Sequence, residues 1–287
     1  MSDISASLVK ELREKTGIGI MDCKRALVET KGDITLAIEG LRKSSGVKAS
    51  KKAGRSTAEG IIATCSDGSK GFMVEINCET DFVTKDGLFI EFTEDVIAAL
   101  SSGNYRNVDD LMKGDLEDKR EKLVQKLGEN IVVRRISKNY DSYDNLGLYL
   151  HSNKKIACLV HLEGGDSEIA KDIAMHVAAT DPLAISSNDI PKEIIDKEKE
   201  IFEANSAETG KPQDIINKMV EGKLKKYFAE VSLNDQDFVK ESGIKIRTLL
   251  KKNKAKVLAF ERFEVGEGVE IEETDFVTEV MSQIKNI

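Results

Sequence analysis

Two β-hairpin patterns, each followed by an amphipathic helical pattern, most strongly constrain the fold of this chain. Each hairpin consists of two short apolar runs joined by a polar turn, Ser-Asp-Gly in the first and Ser-Asn-Lys-Lys in the second. The paired runs are residues 60–65 with 71–77, and residues 147–151 with 156–162. The helical patterns that follow them cover residues 88–100 and 167–179. The repeated order predicts a duplicated α+β subdomain.

Further helical and strand patterns extend both subdomains. A helix over residues 116–127 and a strand over residues 130–136 are expected to join the two units, and a strand over residues 256–263 could return to the second sheet. Two long apolar stripes, over residues 190–207 and 213–230, are joined by a short Gly-Lys-Pro turn. Matched stripes with a short connection predict an antiparallel coiled-coil arm.

The N-terminal residues 4–42 predict three short helices around a thin core. Leu8 and Leu12 fall at helical spacing before a stop at Gly17, and Asp33 is expected to cap the third helix. Residues 42–55 are rich in Lys, Arg, Ser, Ala and Gly. This composition favours a solvated linker over an RNA-contacting arm.

Composition excludes several classes of protein. A length of 287 residues suggests about two domains, and a net charge of -8 argues against wholesale nucleic-acid binding. The four cysteines are widely spaced without a Cys-x-x-Cys pair, so neither a disulfide framework nor a zinc site is expected. The N-terminus lacks the apolar core of a signal peptide, and no apolar run approaches the ~20 residues of a membrane helix. We therefore expect a cytoplasmic protein that binds neither membrane nor metal.

No catalytic motif stands out in the chain. The phosphate-binding, nucleophile-elbow and zinc-protease signatures are all absent from the sequence. A Cys–His nucleophile would need Cys158 beside a histidine, yet strand periodicity places Cys158 and His161 on opposite faces. The sequence predicts a protein that is not an enzyme and carries no cofactor.

A four-residue string, Thr-Asp-Phe-Val, occurs twice in different contexts. The copy at residues 274–277 falls within a helical stripe over residues 274–284, where it predicts a docking or core face. The copy at residues 80–83 lies between a strand and a helix. There Thr80 could cap the helix, with Asp81 and Phe82 in its first turn. Phe82 is then either free to act or packed under its own hairpin.

Five strings in this chain resemble signatures of the translation elongation factor Ts family, and they occur in the family's order. They are residues 16–27 (TGIGIMDCKRAL), 75–83 (EINCETDFV), 128–131 (GENI), 175–179 (MHVAA) and 263–268 (FEVGEG). The resemblance implies a guanine-nucleotide exchange factor that binds elongation factor Tu–GDP, dislodges Mg²⁺ and promotes GDP release so that GTP can bind. Its loop at Thr80, Asp81, Phe82 and Val83 would enter the partner beside the nucleotide.

The resemblance also implies secondary partner contacts at Ile20, Met21, Lys24 and His151. Ile20 stands where many relatives have methionine, which keeps an apolar contact with less adaptability. The implied fold is α+β and multidomain. Its parts are a three-helix ubiquitin-associated-like N-terminal domain with the basic linker (1–54), two related core subdomains (55–140, and 141–179 with 231–263), an inserted coiled-coil hairpin (180–230) and a C-terminal helical module (264–287).

Two other hypotheses fit parts of the pattern. An interaction adaptor would bind peptides or ubiquitin-like surfaces through the three-helix domain and dimerise through the arm, which leaves a homodimer open. An RNA-binding accessory would use the basic residues 42–55, and its affinity would fall steeply with salt. Exchange activity without direct nucleic-acid binding is the hypothesis that we carry forward.

Overall fold

The computed structural model describes residues 4–66, 70–138, 143–208 and 210–269. The chain divides into two compact units. Of the described residues, the first unit takes 4–65, 73–137 and 264–269, and the second takes 66, 70–72 and those from 138 to 263. Helices and two small antiparallel sheets occur together, as expected for an α+β fold.

Three helices begin the first unit: α1 (Ala6–Thr16), α2 (Ile20–Glu29) and α3 (Ile34–Lys52). As predicted, α1 ends at Gly17, whose φ of 70° lies in the left-handed region, and Asp33 caps α3 by accepting a hydrogen bond from Leu36 N at 2.9 Å. Their buried apolar residues form one small cluster, which includes Leu12, Cys23 and Leu27. The thin core predicted from the sequence is confirmed.

A three-stranded sheet and three further helices follow in the described part of the first unit. The strands β1 (Glu59–Ser66), β2 (Gly71–Cys78) and β3 (Ile131–Ile136) lie in the order β1-β2-β3. Every residue of β2 is buried, because it is the central strand. The helices are α4 (Gly87–Ser102), α5 (Val108–Leu111) and α6 (Asp115–Leu127). Phe89, Phe92 and Val96 are the apolar stripe that α4 buries.

The basic segment for which we expected a flexible linker is helical. Helix α3 continues to Lys52, and it packs against α6. Leu41, Ser45 and Ala49 are buried at intervals of four residues, so they form one stripe along the helix. Small side chains allow two helix backbones to approach closely. A linker is also rich in small residues, so composition alone does not distinguish a packed helix from a linker. The linker prediction for residues 42–52 was therefore wrong.

The second unit contains a sheet with the same strand order. Strands β4 (Asn145–Leu150), β5 (Ile156–Gly164) and β6 (Ala255–Glu264) lie in the order β4-β5-β6, so the returning strand predicted over residues 256–263 is confirmed. Helix α7 (Ser167–Thr180) packs on β4 and β5. The approach is close at Gly147, where an added Cβ would lie 2.0 Å from the carbonyl oxygen of Ala170.

The predicted arm is a helical hairpin formed by α8 (Lys192–Ala207) and α9 (Gln213–Val231). Phe202 meets Tyr227 edge to face at 6.3 Å between ring centroids, and Lys223 Nζ donates to Ser206 Oγ at 3.1 Å. These contacts pair a later residue of α8 with an earlier residue of α9. The two helices are therefore antiparallel. Helix α10 (Ile246–Lys252) then precedes β6. The helix expected over residues 274–284, with the second Thr-Asp-Phe-Val string, lies outside the described residues.

Candidate functional site at the loop after strand β2

The segment Thr80 to Val83 forms a short loop between β2 and α4. Val83–Lys85 is a single turn of 3₁₀ helix, and Asp86, rather than Thr80, caps α4 by accepting a hydrogen bond from Leu88 N at 2.8 Å. The prediction that Thr80 caps the following helix was wrong. The reason is that the chain makes a separate 3₁₀ turn at Val83–Lys85 first, so that Asp86 and not Thr80 directly precedes α4.

The ring of Phe82 projects into solvent. Phe82 is 78% exposed, whereas the next residue, Val83, is 7% exposed and belongs to the buried core. The alternative in which Phe82 packs under its own hairpin is therefore excluded. A large exposed aromatic ring gains about 1.5–3 kcal/mol when it is buried. The loop thus presents an apolar group that a partner protein can cover. Burial of Val83 in the core attaches the loop to the rest of the unit.

Polar contacts within the loop restrain the same segment. Lys85 Nζ lies 2.8 Å from Asp81 Oδ2 and 5.8 Å from the centroid of the Phe82 ring. Thr84 Oγ1 donates to the carbonyl oxygen of Asp81 at 2.6 Å. These contacts favour one conformation of the loop. The Asp81 carboxylate is thus already paired with Lys85 within the loop.

Two glutamates that sequence reasoning did not single out hold the loop at its base. Thr80 donates to the carboxylate of Glu129 twice, from its amide nitrogen at 2.9 Å and from Oγ1 at 2.6 Å. The second glutamate accepts in the same way: the amide nitrogen of Asn130 donates to Glu79 Oε1 at 2.6 Å. The available signal was the string at residues 128–131, which occurs among the family signatures but carries no obvious chemistry in sequence.

Burial shifts the pKa values of two thiols and one imidazole in the sheets away from neutral pH. Burial, with the nearby negative charges of Glu129 and Glu59, raises the pKa of Cys78 to about 12. Burial likewise raises the pKa of Cys158 and lowers the pKa of His161 to about 4. Across the described part of the chain, no three His, Cys, Asp or Glu side chains lie close enough together to hold a metal ion.

The residues predicted to make secondary partner contacts lie on the surface. Ile20 and Met21 are 52% and 69% exposed in the first turn of α2, and Lys24 is exposed one turn later. Between them, Cys23 is fully buried and fixes the helix on the small N-terminal core. In the second unit, His151 is exposed at the turn that joins β4 to β5. All four side chains are accessible to a partner.

Comparison with known proteins decides the family. The family model for elongation factor Ts matches residues 79–267. A protein named elongation factor Ts from Hahella chejuensis is 52% identical over 287 residues, which cover 99% of this chain and all of that relative. The chain belongs to the elongation factor Ts family. Relatives of the same name from Saccharophagus degradans and Teredinibacter turnerae are 50% and 48% identical, over 98% of this chain and 98% and 97% of their own lengths.

Membership confirms the resemblance found in the sequence. Elongation factor Ts proteins act in protein biosynthesis as guanine-nucleotide exchange factors, so the chain is a translation elongation factor. The family model begins at Glu79, immediately before the exposed loop. None of the helices in the described ranges is both long and apolar enough to cross a membrane.

Proposed function

We propose that this protein binds elongation factor Tu–GDP and uses the loop at Thr80, Asp81, Phe82 and Val83 to dislodge Mg²⁺, so that GDP leaves and GTP can bind. The observation that carries the proposal is the 78% exposure of Phe82 on a loop whose next residue is buried. A ring held away from its own core is available to enter a partner.

The residue types suit such a wedge. Mg²⁺ bridges the phosphates to the GTPase and is often the largest local charge in a nucleotide site, so displacing its ligands weakens the hold on GDP. Phe82 can separate packed elements of the partner without needing a hydrogen-bond partner of its own. Asp81 can accept hydrogen bonds from the partner and thereby orient the loop as it enters.

The wedge needs the support of a wider interface. Burial of one phenylalanine contributes about 1.5–3 kcal/mol, whereas nanomolar nucleotide binding corresponds to about 12 kcal/mol. The remaining free energy has to come from contacts that stabilise the nucleotide-free partner. Ile20, Met21, Lys24 and His151 are the side chains that we assign to these contacts, since all four are accessible.

Thermodynamic linkage sets the limits of this activity. If the protein weakens GDP binding to elongation factor Tu, GDP weakens binding of the protein by the same factor. The protein therefore accelerates exchange in both directions, and the cellular concentrations of GDP and GTP decide the final state. No covalent bond is made or broken by the protein, so its role is exchange without chemical catalysis.

Release of a fluorescent GDP analogue from elongation factor Tu tests the proposal. Substitution Phe82→Ala should slow the maximal release rate at least about tenfold, which corresponds to about 1.4 kcal/mol of lost assistance. A matched control is Val47→Ala, which also shortens an exposed apolar side chain, on α3. The control should exchange nucleotide at the wild-type rate.

Binding has to be measured alongside exchange. The two variants should form complexes with nucleotide-free elongation factor Tu, and circular dichroism should show that both are folded. If Phe82→Ala binds the partner and releases GDP as fast as the wild-type protein, the wedge mechanism is wrong. If the wild-type protein fails to accelerate release at all, the adaptor hypothesis gains support instead.

A further inference from the structure

Two glutamates exchange backbone contacts across the base of the exposed loop. The carboxylate of Glu129 accepts from the amide of Thr80 at 2.9 Å, and the carboxylate of Glu79 accepts from the amide of Asn130 at 2.6 Å. Glu79 precedes Thr80 in the chain, and Glu129 precedes Asn130. Each glutamate therefore binds the residue that follows the other, and we call this reciprocal arrangement the clasp.

Further hydrogen bonds secure the clasp on both sides. Thr80 Oγ1 donates a second bond to Glu129 at 2.6 Å, and Arg55 Nη1 lies 3.3 Å from Glu79 Oε2. Asn130 is 1% exposed, and its side-chain amide donates to the carbonyl oxygen of Arg55 at 3.0 Å. Hydrogen bonds from N–H groups to carboxylates are shorter and stronger than neutral ones. The end of β2 and the start of β3 are thus joined at the point where the loop leaves the sheet.

The position of the clasp matters because Phe82 is two residues away from Thr80. An apolar ring that is 78% exposed gains free energy from any conformation that buries it against the protein's own surface. A loop free to move would sample such conformations, and ordering it again on binding would oppose the exchange reaction. Restraining Thr80 on one side and burying Val83 on the other leaves Asp81 and Phe82 little freedom.

We propose that the Glu79–Glu129 clasp is a positioning device that holds Phe82 ready for insertion into the partner. This inference rests on the proposed wedge function. Glu129 is the principal positioning residue, because it accepts two hydrogen bonds from Thr80, the first residue of the loop. Neither glutamate has to touch the nucleotide or the partner for this role.

A positioning role and a merely structural role predict different kinetics. If Glu129 acts through Phe82, its loss lowers the maximal rate of GDP release, while the concentration of exchange factor at half-maximal rate changes little, since the wider interface is intact. Its loss should also have no effect in a protein that already lacks the Phe82 ring. A general loss of structure would instead weaken binding and would add to the effect of Phe82→Ala.

The experiment measures release of a fluorescent GDP analogue from elongation factor Tu over a range of exchange-factor concentrations. The variants are Glu129→Ala, Glu129→Gln, Phe82→Ala and the double variant Glu129→Ala/Phe82→Ala. Glutamine can keep both contacts, because its amide oxygen accepts from the Thr80 amide while its NH₂ group donates to Thr80 Oγ1. Glu94→Ala is the matched control, since Glu94 is an exposed glutamate on α4. Thermal unfolding by circular dichroism accompanies each rate.

We expect Glu129→Ala to lower the maximal rate roughly tenfold, the equivalent of about 1.4 kcal/mol. Glu129→Gln should stay within about threefold of the wild type, because neutral hydrogen bonds retain about half the strength of charge-assisted ones. The double variant should match Phe82→Ala alone, and Glu94→Ala should match the wild type.

The contrary outcomes distinguish failure of the clasp from failure of the proposed wedge function. A wild-type rate for Glu129→Ala beside a slow Phe82→Ala would overturn the clasp and leave the wedge standing. The clasp also fails if Glu129→Ala slows exchange by the same factor with and without the Phe82 ring. A wild-type rate for Phe82→Ala would refute the wedge, and the clasp with it.

Discussion

Replacing Glu75 by glutamine removes a negative charge from the interior of the first unit. Glu75 is 0% exposed, and its carboxylate accepts hydrogen bonds from Arg134 Nη1 at 3.0 Å, from Arg135 Nε, and from the amide of Gly266 at 3.0 Å. Glutamine has nearly the same shape, but its NH₂ group would face donors. The substitution therefore removes the buried counter-charge that both guanidinium groups share, and among the described residues only Arg135 keeps another carboxylate, that of Glu267 at 3.0 Å.

The expected loss of stability follows from burial. Removing one partner of a buried ion pair costs about 3–5 kcal/mol, and we take about 3 because both arginines retain some solvent contact, with side chains 27% and 29% exposed. The free energy of unfolding of a protein domain is about 5–15 kcal/mol, so a loss of about 3 kcal/mol is a large fraction of it. For a urea m-value of about 2 kcal/mol/M, the midpoint of unfolding should fall by about 1.5 M.

Urea unfolding followed by far-ultraviolet circular dichroism measures the effect, since the chain contains no tryptophan. The matched control is Asp95→Asn, which breaks an exposed pair with Lys119 at 2.6 Å and should lower the stability much less. The control effect should shrink in 1 M salt, whereas the Glu75 effect should persist. If Glu75→Gln costs no more than Asp95→Asn, the carboxylate is not desolvated as its burial requires, and the reasoning is refuted.

Two further predictions concern the second unit. Burial lowers the pKa of His161 to about 4 and also lowers the pKa of His176, so the free energy of unfolding should decrease as the pH falls below about 6.5, with His161 contributing up to about 1.4 kcal/mol per pH unit between about pH 6.5 and 4. Equilibrium unfolding at several pH values tests this, and a flat profile from pH 7 to 5 would contradict it. Gly147→Ala should destabilise the protein by several kcal/mol, because the new Cβ would lie 2.0 Å from the Ala170 carbonyl oxygen, and an unchanged melting temperature would show that β4 and α7 can separate without loss.

Local periodicity predicted most elements correctly where one face of an element is buried. The pattern over residues 256–263 predicts a strand that could return to the second sheet, and β6 does so; the position of Asp33 before a helical stripe predicts a cap, and Asp33 caps α3. The same reasoning failed over residues 42–52. Lysines and small residues look alike in a linker and on a helix packed through Ser45 and Ala49, and only the presence of α6 distinguishes them.

In the loop of the candidate site, too, the sequence predicted one part and tertiary contacts decided the rest. The amino-acid sequence by itself determined the family, through motifs such as residues 75–83, and it identified Asp81 and Phe82 as the residues to examine. Whether Phe82 is exposed depends on where the chain turns after β2, and that depends on contacts with residues about fifty positions away. Glu129 reaches Thr80 only because β2 and β3 are neighbours in the sheet. Residue type determined which apolar and charged groups the loop carries, and tertiary structure decided that the Phe82 ring is exposed to solvent.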